Sequence, residues 1–300
     1  MIVKLKPALK SYLWGGRKLN YAYGKTGIPS VAEAWELSFR EEGASIIDGG
    51  AHDGKLLSAA TTRADWGENC KDFEFFPVLN KLIDAALPLS IQVHPDDKFA
   101  LEREGQYGKT EMWHILDAEP SSYIYLGFNR NMSARDFEDA INGGTVCDCL
   151  NKVRVAAGQT YFIPSGTVHA IGAGITLFEV QQNSSLTYRV YDYDRTDKDG
   201  NRRELHVEKA KAVCNLNKYD VPSAARRDLL ARCKYFSAYR YVGEREAGMR
   251  DSFVSITVAD GQIRIADVRA NKGDTVFMSA GERAEITGNG SYILTCVEKQ

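Results

Sequence analysis

Apolar and polar residues alternate along this chain in short runs, and the runs are bounded by Gly, Asn, Asp and Pro. Ser90–His94, Ser122–Leu126, Gln159–Ile163, Thr176–Gln181, Phe253–Val258 and Ser291–Val297 follow this pattern. Period-two alternation with turn residues at such spacing predicts the strands of an all-β sandwich or barrel. Three helices interrupt the pattern. Ser133-Ala-Arg-Asp136 is a capping-box sequence, followed by Phe137, Ala140 and Ile141 on one face and stopped by Gly143-Gly144. Asp96 or Asp97 is placed to cap a short helix over Lys98–Arg103, and Val207–Cys214 carries Val207, Ala210 and Lys211 at helical spacing. The charged stretch Arg195–Arg203 reads as a solvated surface hairpin.

One internal repeat stands out. VRVAAGQTYFIPSGTVHAI at 153–171 aligns without gaps on VRANKGDTVFMSAGERAEI at 268–286. Gly158 falls on Gly273 and Gly166 on Gly281, at turn positions that call for positive φ, so the shared pattern encodes strand–turn–strand geometry built twice. Ala284 stands where the first copy has His169. A second β unit without that imidazole is expected to begin near residue 230.

Composition narrows the function classes. The 300 residues are 44% hydrophobic and 26% charged with a net charge of -2, ordinary globular material with no basic face for nucleic acid. No apolar run reaches the length of a signal peptide core or a membrane span, so no membrane association is expected. The six cysteines, at 70, 147, 149, 214, 233 and 296, are too scattered for a disulfide scaffold, which makes reduced thiols in the cytoplasm the simpler reading. Cys147 and Cys149 lack the second pair that would complete a metal site.

The chemistry is concentrated in four residues: Gln92 and His94 in LSIQVHPDD, Glu111 in GKTEMWHIL, and His169 in FIPSGTVHAIG. Each lies in an apolar, strand-like stretch, where a polar side chain needs a partner. Gln92 and His94 are two apart, so on a strand they share a face. Two imidazoles, a carboxylate and an amide oxygen suit a divalent ion. The absence of cysteine argues against a closed structural zinc site and for a metal that does chemistry. His52, His114 and His206 read instead as hydrogen-bonded structural histidines. Glu179 and Arg189 form a second pair of interest, each on the face of an apolar strand with Asn183-Ser184-Ser185 as a turn between them. The residues alone leave two readings open: a structural ion pair across a hairpin, or an arginine facing an anionic substrate or a developing oxyanion.

LSIQVHPDDKFA, GKTEMWHIL, FIPSGTVHAIG and VQQNSSLTYRVYDYDR, with YLWGGRKL and AEAWELS before them, resemble the type I mannose-6-phosphate isomerases in their short bacterial form. The likeness covers roughly residues 10–215. It implies a mainly β, double jelly-roll (bicupin) fold with a few short helices inserted. Residues 1–230 would then be a metal-binding catalytic cupin and 231–300 a second, metal-free cupin, with N-terminal strands able to cross between them. It implies a metal-dependent isomerase that interconverts mannose 6-phosphate and fructose 6-phosphate through a cis-enediol. Its metal ligands fall on Gln92, His94, Glu111 and His169, with one Zn2+ per chain and Mn, Co or Ni as alternatives. The family's active-site arginine matches Arg189, its acidic residue matches Glu179, and its lysine near the substrate matches Lys109. Ser185 departs from a frequent Asp and His114 from a frequent Tyr. For the phosphate, Lys98, Lys109 and Arg195 are candidates. The rival readings are an isomerase of a related sugar or sugar phosphate, a non-catalytic metal-binding cupin that senses sugar, and a storage-type structural bicupin. A small sugar phosphate is the expected partner, with no nucleic acid, membrane or obligate protein partner.

Overall fold

The computed structural model describes residues 1–196, 199–223 and 228–299. Four strands come first: β1 (Ile2–Lys6), β2 (Ala8–Lys10), β3 (Glu33–Leu37) and β4 (Ile46–Asp48). A run of eight follows: β5 (Val78–Ala85), β6 (Ile91–Val93), β7 (Glu111–Ala118), β8 (Tyr123–Phe128), β9 (Leu150–Arg154), β10 (Thr160–Ile163), β11 (His169–Ile171) and β12 (Ile175–Gln182). After β13 (Tyr188–Tyr191) and β14 (Leu229–Arg232) a second run begins. It comprises β15 (Ser237–Val242), β16 (Arg245–Ala247), β17 (Val254–Asp260), β18 (Gln262–Ile265), β19 (Val268–Asn271), β20 (Thr275–Met278), β21 (Ala284–Gly288) and β22 (Ser291–Cys296). The described residues are thus mainly β, in four antiparallel sheets.

The two runs of eight are paired alike. The order β10-β7-β12-β5 reappears as β20-β17-β22-β15, and β6-β11-β8-β9 reappears as β16-β21-β18-β19. The sequence repeat covers only β9 to β11 and their counterparts β19 to β21. Its glycines do the expected work: Gly158 and Gly273 sit at φ 84° and 91°, Gly166 and Gly281 at 82° and 84°. Even their amide bonds match, with Gly158 N–H on Ile115 O and Gly273 N–H on Val258 O, each at 2.8 Å.

The register then shows what the second copy lacks. Gln92 pairs with His169 as Ala247 pairs with Ala284, and Glu111 with Ile163 as Val254 with Met278. Gly166 N–H bonds His94 O as Gly281 N–H bonds Met249 O. Gln92, His94, Glu111 and His169 therefore correspond to Ala247, Met249, Val254 and Ala284, which belong to one apolar cluster. The second copy closes on an apolar core where the first gathers polar side chains.

The N-terminal strands tie the runs together. β1 pairs with β20, while β2 and β3 extend the six-stranded sheet beside β5. Leu5, Val78, Leu82, Phe236 and Phe277 share one core. A buried ion pair reinforces the seam: Lys25 Nζ lies 2.7 Å from Glu36 Oε1 and donates to Gly273 O, while Thr275 Oγ1 donates to Glu36 Oε2. The three predicted helices form at Asp97–Glu104, Ala134–Asn142 and Val207–Val213. Asp96 caps the first by accepting from Phe99 N–H, and Ser133 and Asp136 form the capping box of the second. Among the described residues no helix is long and apolar enough to cross a membrane.

Candidate active site

The six-stranded and five-stranded sheets bring their polar inner faces together. From the first come Glu111 on β7 and Glu179 on β12; from the second come Gln92 on β6, His169 on β11 and Arg189 on β13. His94 follows β6 directly, where Pro95 stops the strand. The donor atoms of His94, Glu111 and His169 lie within 4.8 Å of one another, and all three residues are buried. His169 Nε2 is 3.3 Å from Glu111 Oε1, and His94 Nε2 is 3.5 Å from Glu111 Oε2. Gln92 stands opposite His169, and Arg189 opposite Gln92 on the other side. Directly opposed residues share a sheet face, so His169, Gln92 and Arg189 form a row across three strands.

The tautomers decide whether this cluster fits a metal. His94 Nδ1 is 2.8 Å from Leu186 O, and His169 Nδ1 is 2.8 Å from Thr167 O. A carbonyl can only accept, so each Nδ1 carries the proton and each Nε2 presents a lone pair. The two Nε2 atoms are 3.2 Å apart, and Glu111 Oε1 beside them has no hydrogen-bond partner among the described residues. Lone pairs that converge in this way suit a cation. The Lys109 ammonium stands in for one, 3.0 Å from His94 Nε2 and bonded to Glu111 Oε2. The residues therefore fit a divalent ion with nitrogen and oxygen ligands. Burial and then the charge of Lys109 hold His94 well below the usual imidazole range and His169 at about 3, so both rings stay neutral and ready to ligate. Burial pushes the Glu111 carboxyl up, an effect that Lys109 only partly offsets.

A cavity of about 540 Å³ lies beside this cluster and meets it through Gln92 and Lys109; Lys81, Glu179 and Arg189 also line it. Glu179 does not pair with Arg189. β12 and β13 lie in different sheets, so Asn183-Ser184-Ser185 carries the chain from one sheet to the other and closes no hairpin. Glu179 instead accepts from Trp113 Nε1 at 2.9 Å and lies 3.3 Å from Lys81 Nζ, which also approaches Glu33 at 3.5 Å. Burial raises the Glu179 carboxyl, but Lys81 and Lys109 outweigh it and hold it below its usual range. Arg189 Nη1 donates to Glu204 O at 2.8 Å, while its buried Nε has no hydrogen-bond partner among the described residues. Burial and the neighbouring Arg203 lower its pKa.

Other expectations resolve differently. Ser185 touches Arg40 and Gln106 at the cavity mouth, not Arg189. Lys98 lines a separate cleft with Phe99, Ser165 and Val213. His114 turns to the opposite face from Glu111 and meets Thr160 Oγ1 at 2.9 Å; it is buried and structural. The Arg195–Arg203 stretch is a hairpin in that Thr196 bridges to Arg202, with Asp197 and Lys198 outside the described residues. Its two end arginines, however, are drawn inward onto buried Asp192.

Comparison with known proteins agrees with this geometry. Residues 2–124 match the family described as phosphomannose isomerase type I, catalytic domain. The chain is 36% identical over 298 residues to mannose-6-phosphate isomerase ManA of Bacillus subtilis, covering 92% of each chain. It is 35% identical over 291 residues to the mannose-6-phosphate isomerase of Streptococcus mutans, covering 91% of each. The crystal structure of the mannose 6-phosphate isomerase from Bacillus subtilis superposes with a TM-score of 0.87 at 33% identity, over 98% of this chain and 99% of that one. With its buried His–Glu–His cluster beside a charged cavity, the chain belongs to the type I mannose-6-phosphate isomerase family of enzymes.

Proposed function

We propose that this chain interconverts mannose 6-phosphate and fructose 6-phosphate through a cis-enediol, with a divalent metal held by Gln92, His94, Glu111 and His169. The observation that carries the reading is the pair of converging Nε2 lone pairs beside a carboxylate oxygen with no hydrogen-bond partner among the described residues, next to a cavity whose charged lining includes Lys109, Glu179 and Arg189. Zinc is the first candidate for a site of two imidazoles and two oxygens, and Mn, Co or Ni suit the same donors.

The reaction moves a proton between C2 and C1 of the opened sugar. The metal, when bound, supplies Lewis-acid polarisation of the sugar oxygens. Glu179 is the candidate to take the C2 proton and return it at C1, since Lys81 and Lys109 keep it ionised and Trp113 fixes its orientation. Arg189 faces the charge that develops on the enediolate oxygen. Its Nη1 is anchored on Glu204 O, and its Nε is desolvated before substrate arrives. Lys109 lines the same cavity beside Glu111 and is placed to hold a sugar hydroxyl. We further infer a double jelly-roll, with residues 1–230 the catalytic cupin and 231–300 the metal-free one. The repeated strand order and the apolar second core support that division. The free cysteines suit a reducing compartment such as the cytoplasm.

The test is coupled detection of fructose 6-phosphate formed from mannose 6-phosphate, run beside other aldose phosphates and unphosphorylated mannose. Turnover of another aldose phosphate in preference to mannose 6-phosphate would assign the site to a different sugar.

A further inference from the structure

We propose that Arg203, held in place by Asp192, is the residue that receives the substrate's phosphate, and that its neighbour Arg195 is a structural anchor. This rests on the sugar-phosphate reading above. Arg195 and Arg203 share the Asp192 carboxylate but spend their nitrogens differently. Arg195 Nη2 binds Asp192 Oδ1 at 2.5 Å, Nη1 donates to Pro88 O at 2.6 Å, and Nε donates to Asp192 O at 3.2 Å. Every nitrogen of its guanidinium faces the protein, and Arg195 is not among the residues that line the cavity. Arg203 grips Asp192 by one edge only, Nε to Oδ2 at 2.8 Å and Nη2 to Oδ1 at 2.6 Å, and it does line the cavity. The edge that carries Nη1 is outside that fork.

Charge and position agree. Asp192 is 5% exposed; burial alone would raise its carboxyl, but Arg203 and Arg195 hold it below the usual range. One carboxylate thus serves two guanidiniums, with Arg189 close enough to feel both. Arg189, Arg195 and Arg203 outnumber the neighbouring carboxylates, Asp192 and Glu204, so this wall keeps a net positive charge toward a phosphate. Arg203 also lies at the right end of the cavity. The row His169–Gln92–Arg189 spans two strand spacings, roughly 10 Å, and Arg203 adjoins its Arg189 end. A sugar whose C1–C2 end meets the cluster would extend its phosphate toward Arg203. The chain pays for this arrangement locally: Tyr193 and Asp194, next after Asp192, sit at φ 56° and 54°, a conformation side chains seldom adopt.

The experiment compares Arg203→Gln, Arg203→Lys, Arg195→Gln and Asp192→Asn, each confirmed folded by thermal melting. It reads steady-state kinetics on mannose 6-phosphate and calorimetric binding of inorganic phosphate. Arg203→Gln is expected to weaken phosphate binding and raise KM by about tenfold or more, with a smaller change in kcat. Arg203→Lys recovers part of the loss, and Asp192→Asn shifts the same quantities less. A larger loss of phosphate affinity in Arg195→Gln than in Arg203→Gln overturns the assignment. So does undiminished phosphate binding in folded Arg203→Gln. Phosphate binding that depends on Arg203 in a protein inactive on mannose 6-phosphate would leave this inference standing and overturn the choice of substrate.

Discussion

Gln92 lies directly opposite His169 across β6 and β11, and at the same point of the second copy Ala247 lies opposite Ala284. The backbone that holds these side chains is therefore built twice, once around imidazole and amide and once around two methyl groups. The fold tolerates alanine at this position, which separates the architecture from the chemistry.

His169→Ala should accordingly leave a folded protein with an unchanged far-UV spectrum, yet one that no longer retains metal. Loss of a direct ligand should exceed the roughly 10–100-fold cost of removing a residue that merely orients one. Metal content by elemental analysis and turnover on mannose 6-phosphate check both points; full activity in a metal-free variant would contradict the ligand assignment.

For Arg189→Ala the expected outcome is different. Metal content stays, because Arg189 is one strand beyond Gln92. The loss falls on kcat by about 10²–10³-fold. A rise in KM with unchanged kcat would instead mark Arg189 as a group that binds substrate and transition state equally.

His114 gives a pH prediction that does not involve the metal. Burial, then Arg240, lower its pKa from 6.5 to about 4. The folded state thus binds its proton less readily than the unfolded chain. The stabilisation from the neutral ring is full above pH 6.5 and is lost as pH falls toward 4. It amounts to roughly 3 kcal/mol. His114→Gln keeps a polar contact to Thr160 and removes this titration, so the parent should lose about 3 kcal/mol of urea-unfolding free energy relative to the variant as pH falls through that window. Parallel curves would contradict the assignment.

The seam between the two strand runs is testable through Lys25. Lys25→Ala leaves Glu36 buried without its cation, at a cost of about 3–5 kcal/mol. The double change Lys25→Met, Glu36→Leu should recover most of that loss. A double variant as unstable as the single one would show that the seam depends on the charges themselves.

Much of this site was legible in the sequence because strands impose a strict period. Gln92 and His94 read as one-face neighbours, and the Gly158/Gly273 and Gly166/Gly281 matches marked the turns. The four-residue set emerged because each member is polar in an apolar stretch. Lys81 went unnoticed although it carries the same signal, a lysine inside the fully buried strand VLNKLIDA. Its partners, Glu33 and Glu179, sit on neighbouring strands far away in sequence, and pairing of that kind appears only once register is known. The residues alone left an ion pair of Glu179 with Arg189 across a hairpin open for a related reason: a short polar turn between strands looks the same whether the chain returns to its own sheet or passes to the facing one. Arg195–Arg203 read as solvated because its charges are dense, and nothing local shows that Asp192 draws both ends inward.

The most direct test of the account is metal dependence of the isomerisation. The purified protein is stripped with a chelator, its metal content measured, and fructose 6-phosphate formation from mannose 6-phosphate followed before and after zinc is restored. The account predicts that activity disappears with the metal and returns with zinc. Undiminished turnover in protein shown to hold no metal would contradict it.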